Sequence, residues 1–240
     1  MLNLFLAGAR IQAKFKAGLI ARIPKDGPSN LVENARPITM LNTDYKIYTK
    51  MISTRLDPIL KEIIHDSQYA QPGRDIQEMN VVIRDLVEDM ERSSTDSFFV
   101  SLDFKKAYDS ISHDFLFQVL GKYGFPDDFI DLIKELFRDA GSHVFINGHK
   151  SKKIKLKSGT RQGCPMSRGI FTIQLNPLLV FLNTFQDIRK YKTLSNKEFF
   201  TLAFLDDGNF FTQSITSLMN AMFYVKKYKR ASGLELNMLY

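Results

Sequence analysis

The stretch that decides the fold runs from Phe199 to Thr212 and reads FFTLAFLDDGNFFT. Two short apolar segments flank the sequence Leu205-Asp206-Asp207-Gly208, which predicts a β-hairpin with strands at Phe199–Phe204 and Asn209–Thr212. Asp-Asp-Gly is also an ordinary turn sequence, so the hairpin alone assigns no function. Adjacent carboxylates at a tight turn repel each other, however, and a hard divalent cation such as Mg²⁺ would stabilise them.

A further carboxylate follows a second predicted strand. Residues Ser97–Phe104 contain a run of aromatic and β-branched side chains, which is typical of a buried strand, and this strand presents Asp103 near its end. If the strand pairs with the hairpin, the carboxylates of Asp103, Asp206 and Asp207 converge and could hold two cations. Two ions roughly 3.5–4 Å apart stabilise the attacking and leaving oxygens in phosphoryl transfer.

The rest of the chain shows mostly helical spacing of apolar residues. The predicted helices are Tyr45–Ile64, bent or divided at Pro58, then Ile76–Met90, His113–Lys122, Phe129–Phe137, Phe171–Leu182, bent at Pro177, and Ile215–Arg230. A second hairpin is predicted from Val144–Ile146, the turn Asn147-Gly148 and Lys152–Lys157. Helices mixed with hairpins, without a regular βαβ alternation, predict an α+β fold with an antiparallel sheet.

Composition narrows the class of protein. The chain has 240 residues, with 33 Lys and Arg against 26 Asp and Glu, and 44% of its residues are hydrophobic. These values exclude a disordered chain, and the net charge of +7 favours polyanionic partners. The single Cys164 excludes an intramolecular disulfide framework. No apolar run reaches the roughly 18 residues of a membrane span, and Met1–Ala9 is predicted to begin a helix.

Three sequence blocks occur in an order that is characteristic of one enzyme family. They read SLDFKKAYDS at Ser101–Ser110, GTRQGCPMS at Gly159–Ser167 and AFLDD at Ala203–Asp207. Together they resemble motifs A, B and C of reverse transcriptases, above all those of LINE-type (non-LTR) retrotransposons, with group II intron enzymes as relatives. Further blocks resemble the same family at Ile23–Lys25, Ala35–Ile38, Leu41–Ile47, Gln68–Arg74 and Ser232–Asn237.

The resemblance implies an α+β fold of the right-hand polymerase type. Residues 1–95 would form the fingers region and residues 96–240 the palm region, with an antiparallel palm sheet packed on helices. No thumb follows, so the chain would be a C-terminally truncated reverse transcriptase domain from a longer polyprotein that also carries a thumb and an endonuclease. The family resemblance places such enzymes in the nucleus or in a cytoplasmic ribonucleoprotein, and not in a membrane.

The resemblance also implies an RNA-directed DNA polymerase that transfers nucleotides from dNTPs to the 3′-hydroxyl of a DNA primer on an RNA template. Its cofactor would be two Mg²⁺ ions, with Mn²⁺ as an alternative. The implied roles are metal binding and catalysis for Asp103, Asp206 and Asp207, steric exclusion of ribose by Tyr108, triphosphate binding by Lys25 and Arg36, and contact with the nascent base pair by Gln162 and Gly163. Without the resemblance, Tyr108 could equally be a core residue, and Lys25 and Arg36 surface charges.

Some positions depart from the family pattern. Leu205 stands where the family usually has alanine, and Arg168-Gly169 follows the serine of motif B in place of Pro-Leu. These departures favour one alternative, a decayed or truncated remnant that at most binds nucleic acid. A second alternative is an RNA-dependent RNA polymerase, against which Tyr108 argues. Arg161 is expected either beside the nascent base pair or in a salt bridge at a helix start.

Overall fold

The structure is a computed structural model that describes residues 10–24 and 35–237. Its strands are β1 (Ala17–Pro24), β2 (Ala35–Leu41), β3 (Phe98–Lys105), β4 (Gly141–Ile146), β5 (His149–Lys150), β6 (Ile154–Lys155), β7 (Tyr191–Lys192), β8 (Glu198–Phe199), β9 (Thr201–Phe204), β10 (Asp207–Thr212) and β11 (Glu235–Leu236). Its helices are α1 (Thr43–Ile63), α2 (Ile76–Arg92), α3 (Ala107–Ser110), α4 (His113–Lys122), α5 (Asp127–Phe137), α6 (Ser167–Thr184) and α7 (Ile215–Ser232).

The first sheet joins distant parts of the chain. Its strand order is β2-β1-β4-β5, and β6 also pairs with β4. Strand β1 runs antiparallel to β2 but parallel to β4, from the Ala17–Gly141 pair to the Ile20–Val144 pair. The sequence pattern does not predict this parallel pairing. The sheet also contains strands from both sides of residue 95, at which the predicted fingers region ends.

The second sheet is antiparallel throughout, with the strand order β11-β3-β10-β9. Strand β3 lies in its centre, between β10 and β11. The strand predicted before Asp103 and the hairpin predicted around Asp206 are therefore neighbours. The α+β class and an antiparallel sheet built from these two segments agree with the prediction.

Helix α6 forms the centre of the hydrophobic core. Twelve of its residues are buried, and Ile170, Phe171, Ile173 and Leu182 have no exposed surface. Helix α1 packs against it as one continuous helix that contains Pro58, and Pro177 lies inside α6. The predicted division of α1 at Pro58 is therefore wrong. Helix α7 ends at Gly233, whose φ of 80° belongs to the left-handed conformation that closes helices.

Two local predictions need correction or fall outside the described residues. The return strand predicted at Lys152–Lys157 is divided: β5 pairs with the end of β4 and β6 with its beginning. The helix predicted at Met1–Ala9 lies outside the described residues. Among the residues that the structure describes, no helix combines the length and the apolarity that crossing a membrane requires.

Candidate active site

Strands β3 and β10 bring two carboxylates together. Their antiparallel register pairs Asp103 directly with Asp207. Residues that are directly opposite in an antiparallel pair have side chains on the same face of the sheet, with Cβ atoms roughly 4.5–5.5 Å apart. The convergence that the sequence predicts only under an assumed strand pairing is thus present for Asp103 and Asp207.

The turn between β9 and β10 contains the third carboxylate. Phe204 pairs with Asp207, so Leu205 and Asp206 are the two central residues of the turn. The predicted turn of Leu205–Gly208 was too long, because Asp207 and Gly208 already belong to β10. Leu205 has a φ of 56°, in the left-handed region that non-glycine residues seldom occupy.

The carboxylates influence one another's protonation. The pKa of Asp206 is raised above its ordinary value, first by loss of solvent and then by the negative charges of Asp207 and Asp103. The pKa of Asp207 is raised for the same reasons, with Asp103 as the charged neighbour. Since both effects oppose ionisation, a bound cation would relieve them and draw both groups into their charged form.

The donor set suits a hard cation. All of its ligand atoms are carboxylate oxygens, which Mg²⁺ and Mn²⁺ prefer. Within residues 10–24 and 35–237, no group of three or more His, Cys, Asp or Glu side chains already forms a complete metal cage. Mg²⁺ usually binds to one or two carboxylates, waters and substrate phosphates, so an open set of carboxylates fits this ion in the presence of a nucleotide.

A residue from β11 holds Asp103 from the other side. The backbone N–H of Asn237 donates to the carbonyl oxygen of Asp103 at 2.8 Å, and its side-chain amide donates to the carboxylate at 3.2 Å. The sequence analysis assigns no role to Asn237, although it ends one of the blocks that resemble the family. Its contact with Asp103 depends on the pairing of β11 with β3, which no local pattern predicts.

Tyr108 lies close to the carboxylates, on the short helix α3. Its ring stacks on Phe171 of α6, with the ring centroids 5.2 Å apart. Burial raises the pKa of Tyr108 to about 12, and the negative charge of Asp206 adds to this effect, whereas the Arg168 guanidinium opposes it. The phenol is therefore neutral at physiological pH. Its ring is held on one face by the core and is partly exposed.

The segment of motif B docks on the first sheet. The backbone N–H of Thr39 in β2 donates to the carbonyl oxygen of Gln162 at 2.7 Å. Gly163 has a φ of 114°, and a Cβ atom there would lie 2.5 Å from the carbonyl oxygen of Thr39. Both the conformation and the close approach require glycine. The exposed Arg36 lies three residues before Thr39 on the same strand, while Lys25 lies outside the described residues.

Arg161 has a different environment from either one predicted. Its side chain is buried, stacks over the ring of Tyr45 at 4.4 Å and donates to the carbonyl oxygen of Lys16. Lys16 is itself buried and forms an ion pair with Glu135 at 3.2 Å. Arg161 thus links motif B to the segment before β1. Neither the nascent base pair nor a salt bridge at a helix start accounts for its contacts.

The Gly169 departure is compatible with the packing of the core. A Cβ atom at Gly169 would lie 3.1 Å from Cδ1 of Leu60 in α1, so glycine allows the two helices to approach closely. Arg168 is exposed at the start of α6. Neither departure distorts the helix that carries Phe171.

The comparison with protein families decides what this arrangement is. The model of the family described as reverse transcriptase (RNA-dependent DNA polymerase) matches residues 23–239. The chain belongs to the reverse transcriptase family. All three motif blocks quoted above lie inside the matched region. Reverse transcriptases use divalent metal ions, which agrees with the carboxylates at the ends of β3 and β10.

The relatives of this reverse transcriptase domain are proteins of retrotransposons. A transposon TX1 protein of 149 kDa from Xenopus laevis is 33% identical over 92% of this chain. A Pol polyprotein from an R2 retrotransposable element of Popillia japonica is 25% identical over 98% of this chain. The chain spans 17% and 33% of the length of these two proteins. The predicted membership of the LINE-type (non-LTR) group is confirmed.

Solved structures share the fold of this reverse transcriptase domain. Telomerase from Candida tropicalis, in complex with a fragment of telomeric RNA, superposes with a TM-score of 0.67 over 95% of this chain and 41% of its own, at 16% identity. Telomerase from Candida albicans superposes with a TM-score of 0.61 over 98% of this chain and 43% of its own. The mixed helix and strand architecture is therefore that of a reverse transcriptase.

Proposed function

We propose that this chain is the catalytic part of an RNA-directed DNA polymerase that extends a DNA primer with dNTPs on an RNA template. The observation that carries the proposal is the direct pairing of Asp103 with Asp207 next to the turn that holds Asp206, in a chain of the reverse transcriptase family. The second sheet would form the palm, and the first sheet, with the α1 side of the core, the fingers.

Asp103, Asp206 and Asp207 would hold two Mg²⁺ ions, or Mn²⁺ in their place. When bound, such ions activate the primer hydroxyl and stabilise the charge on the α-phosphate and the leaving pyrophosphate. The three carboxylates supply the oxygen ligands, and Asn237 keeps the Asp103 carboxylate in a fixed orientation through its amide. The raised pKa values of Asp206 and Asp207 support this role, because they reflect negative charge held together without a cation.

The remaining predicted residues would bind the substrates. Gln162 and Gly163 would lie along the nascent base pair, where the backbone of glycine permits a close approach. Arg36 on β2 and Lys25 would contact the triphosphate, since cations stabilise the charge of the leaving pyrophosphate. The docking of Gln162 on Thr39 supports this arrangement, as it keeps motif B beside the strand that carries Arg36.

Substitution of a carboxylate tests the proposal. Asp206→Asn keeps the size of the side chain but removes the charge that a cation needs, so we expect primer extension to fall more than about a hundredfold, beyond the usual loss for a residue outside the ligand set. The measurement is primer extension on an RNA template with dNTPs and Mg²⁺. The matched control is Asp187→Asn, at an exposed aspartate in the loop after α6. Extension that survives in Asp206→Asn, or is lost equally in Asp187→Asn, contradicts the proposal.

Tyr108 would select deoxyribonucleotides. A ring held against Phe171 at 5.2 Å cannot move away easily, so it would clash with the 2′-hydroxyl of a ribonucleotide. We expect Tyr108→Ala to gain ribonucleotide incorporation, while Tyr108→Phe keeps the selectivity of the parent because it keeps the ring. The measurement is the ratio of rNTP to dNTP incorporation. An unchanged ratio in Tyr108→Ala would show that the ring is only a core residue.

A further inference from the structure

The segment between α1 and α2 lies along the edge of the second sheet. The backbone N–H of Ala203 in β9 donates to the carbonyl oxygen of Ser67 at 2.7 Å, and the N–H of Tyr69 donates to the carbonyl oxygen of Ala203, also at 2.7 Å. These bonds form a short parallel bridge between Gln68 and Ala203. The segment therefore covers the edge of β9 immediately before the turn that contains Asp206.

The side chain of Gln68 reaches from this segment to the turn. It has no exposed surface, and its Oε1 accepts hydrogen bonds from the backbone N–H of Leu205 and of Ala70, both at 3.0 Å. Its Nε2 lies 3.5 Å from the carbonyl oxygen of Leu205. One carboxamide thus contacts both backbone polar groups of Leu205, which lies 137 residues further along the chain.

The backbone of Gln68 is itself fixed. Its carbonyl oxygen accepts a hydrogen bond from Nε2 of Gln71 at 2.8 Å, and its N–H donates to the carbonyl oxygen of His65 at 2.9 Å. Buried side chains with satisfied hydrogen bonds lose little freedom when they hold another group, so Gln68 can act as a rigid support.

Leu205 needs such a support. Its φ of 56° brings Cβ close to the following carbonyl oxygen, a conformation that an L-residue keeps only where its surroundings determine it. The backbone dihedral angles of Leu205 set the direction in which the next residue, Asp206, projects. Release of Leu205 would therefore move the Asp206 carboxylate relative to the paired Asp103 and Asp207.

We propose that Gln68 is a positioning residue of the active site, whose carboxamide holds Leu205 in its left-handed conformation and so orients the Asp206 carboxylate for the cation. This inference rests on the proposed function, in which Asp206 binds the metal. It assigns a role to a residue outside motifs A, B and C. It also explains how a leucine is tolerated in a turn where its conformation is unfavourable.

Gln68→Met tests the inference, because methionine fills a similar volume without the hydrogen bonds. We expect the Mg²⁺ concentration for half-maximal primer extension to rise about 10- to 100-fold, the usual effect of losing a residue that orients a metal ligand. Extension at saturating Mg²⁺ and the KM for dNTP should change little. The matched control is Gln174→Met, at a glutamine that is equally buried but donates to the carbonyl oxygen of Ser232. An unchanged Mg²⁺ midpoint in Gln68→Met, or an equal shift in Gln174→Met, would overturn the inference.

A second pair of variants tests the conformation itself. Glycine adopts positive φ without strain, so in a Leu205→Gly background we expect Gln68→Met to shift the Mg²⁺ midpoint less than in the parent. An equal shift in both backgrounds would mean that Gln68 acts on something other than the conformation of residue 205. If Gln68→Met does not fold, Gln68→Asn takes its place, since it keeps the amide but is one methylene too short to reach Leu205.

Hydrogen exchange separates this inference from the proposed function. The amide of Leu205 should exchange faster in Gln68→Met than in the parent, whether or not a metal is present. If Asp206→Asn does not change metal binding, the proposed function is wrong, yet faster exchange at Leu205 would still show that Gln68 holds the turn. Unchanged exchange overturns the inference even if Asp206 proves essential.

Discussion

The two hairpins of this protein use turns of the same length but stabilise them differently. Asn147 and Gly148 connect β4 to β5, with φ values of 49° and 82°. Leu205 and Asp206 connect β9 to β10, and of these two residues only Leu205 has a positive φ. Asn-Gly is the preferred sequence for a two-residue turn with two positive φ angles, whereas leucine is unfavourable there.

The surroundings of the two turns explain the difference. A Cβ atom at Gly148 would meet no atom within 4 Å, so the first turn lies free in solvent and depends on its own sequence. The second turn depends on Gln68, a residue from another part of the chain. A turn that carries no chemistry can take the easiest sequence, whereas a turn that must present a carboxylate is held by its surroundings.

Substitution by valine should separate the two turns most clearly. A β-branched residue is strained at positive φ, so we expect Leu205→Val and Asn147→Val each to lower the free energy of unfolding by about 1–2 kcal/mol. Only Leu205→Val should also raise the Mg²⁺ concentration needed for primer extension, by about tenfold or more. Urea unfolding and a metal titration measure the two effects.

An equal change in metal dependence for both valine variants would end the comparison, because it would mean that general loss of stability affects the site. A change in neither variant would mean that the backbone of Leu205 does not influence Asp206.

Acidification should have a smaller effect, confined to the segment that supports the second turn. His65 accepts a hydrogen bond from the backbone N–H of Ser67 at 3.1 Å through Nδ1. Burial lowers the pKa of His65 below its usual value of 6.5, an effect that Asp66 opposes and Lys190 reinforces. The unfolded chain therefore takes up the proton first. The stability is complete above pH 6.5 and decreases as the pH falls through the lower pKa of the folded state.

His65→Asn tests this pH dependence, because its Oδ1 can accept from the Ser67 amide but does not become protonated. We expect the free energy of unfolding to decrease less between pH 7 and pH 5 in His65→Asn than in the parent. Thermal unfolding at several pH values measures the difference. Parallel pH profiles for the two proteins would exclude His65 as the source.

Local patterns account for much of the fold and for the acidic residues of the candidate site. The strand before Asp103, the helix capped by Ser112 and the helix closed by Gly233 were predicted because each depends on residues close in sequence. The Ser112 hydroxyl accepts from the N–H of Phe115, as a residue at the start of a helix is expected to do.

Contacts between distant segments were not predicted, and several of them shape the site. Arg161 was expected near a base pair, but its guanidinium lies on Tyr45 inside the core. Lys16 shows no pattern in the sequence, yet it is buried beside Glu135. A buried charge needs a partner, and that partner becomes visible only after the chain has folded.

By itself, the sequence determined the family, the elements and the residue types of the site, since motif spacing and apolar periodicity are local properties of the chain. Only the tertiary structure decided which residues meet: Asp207 opposite Asp103, Asn237 on the Asp103 carboxylate and Gln68 on the turn of Leu205. The physical reason is that hydrogen bonds and charge repulsion act over a few ångströms, whatever the separation along the chain.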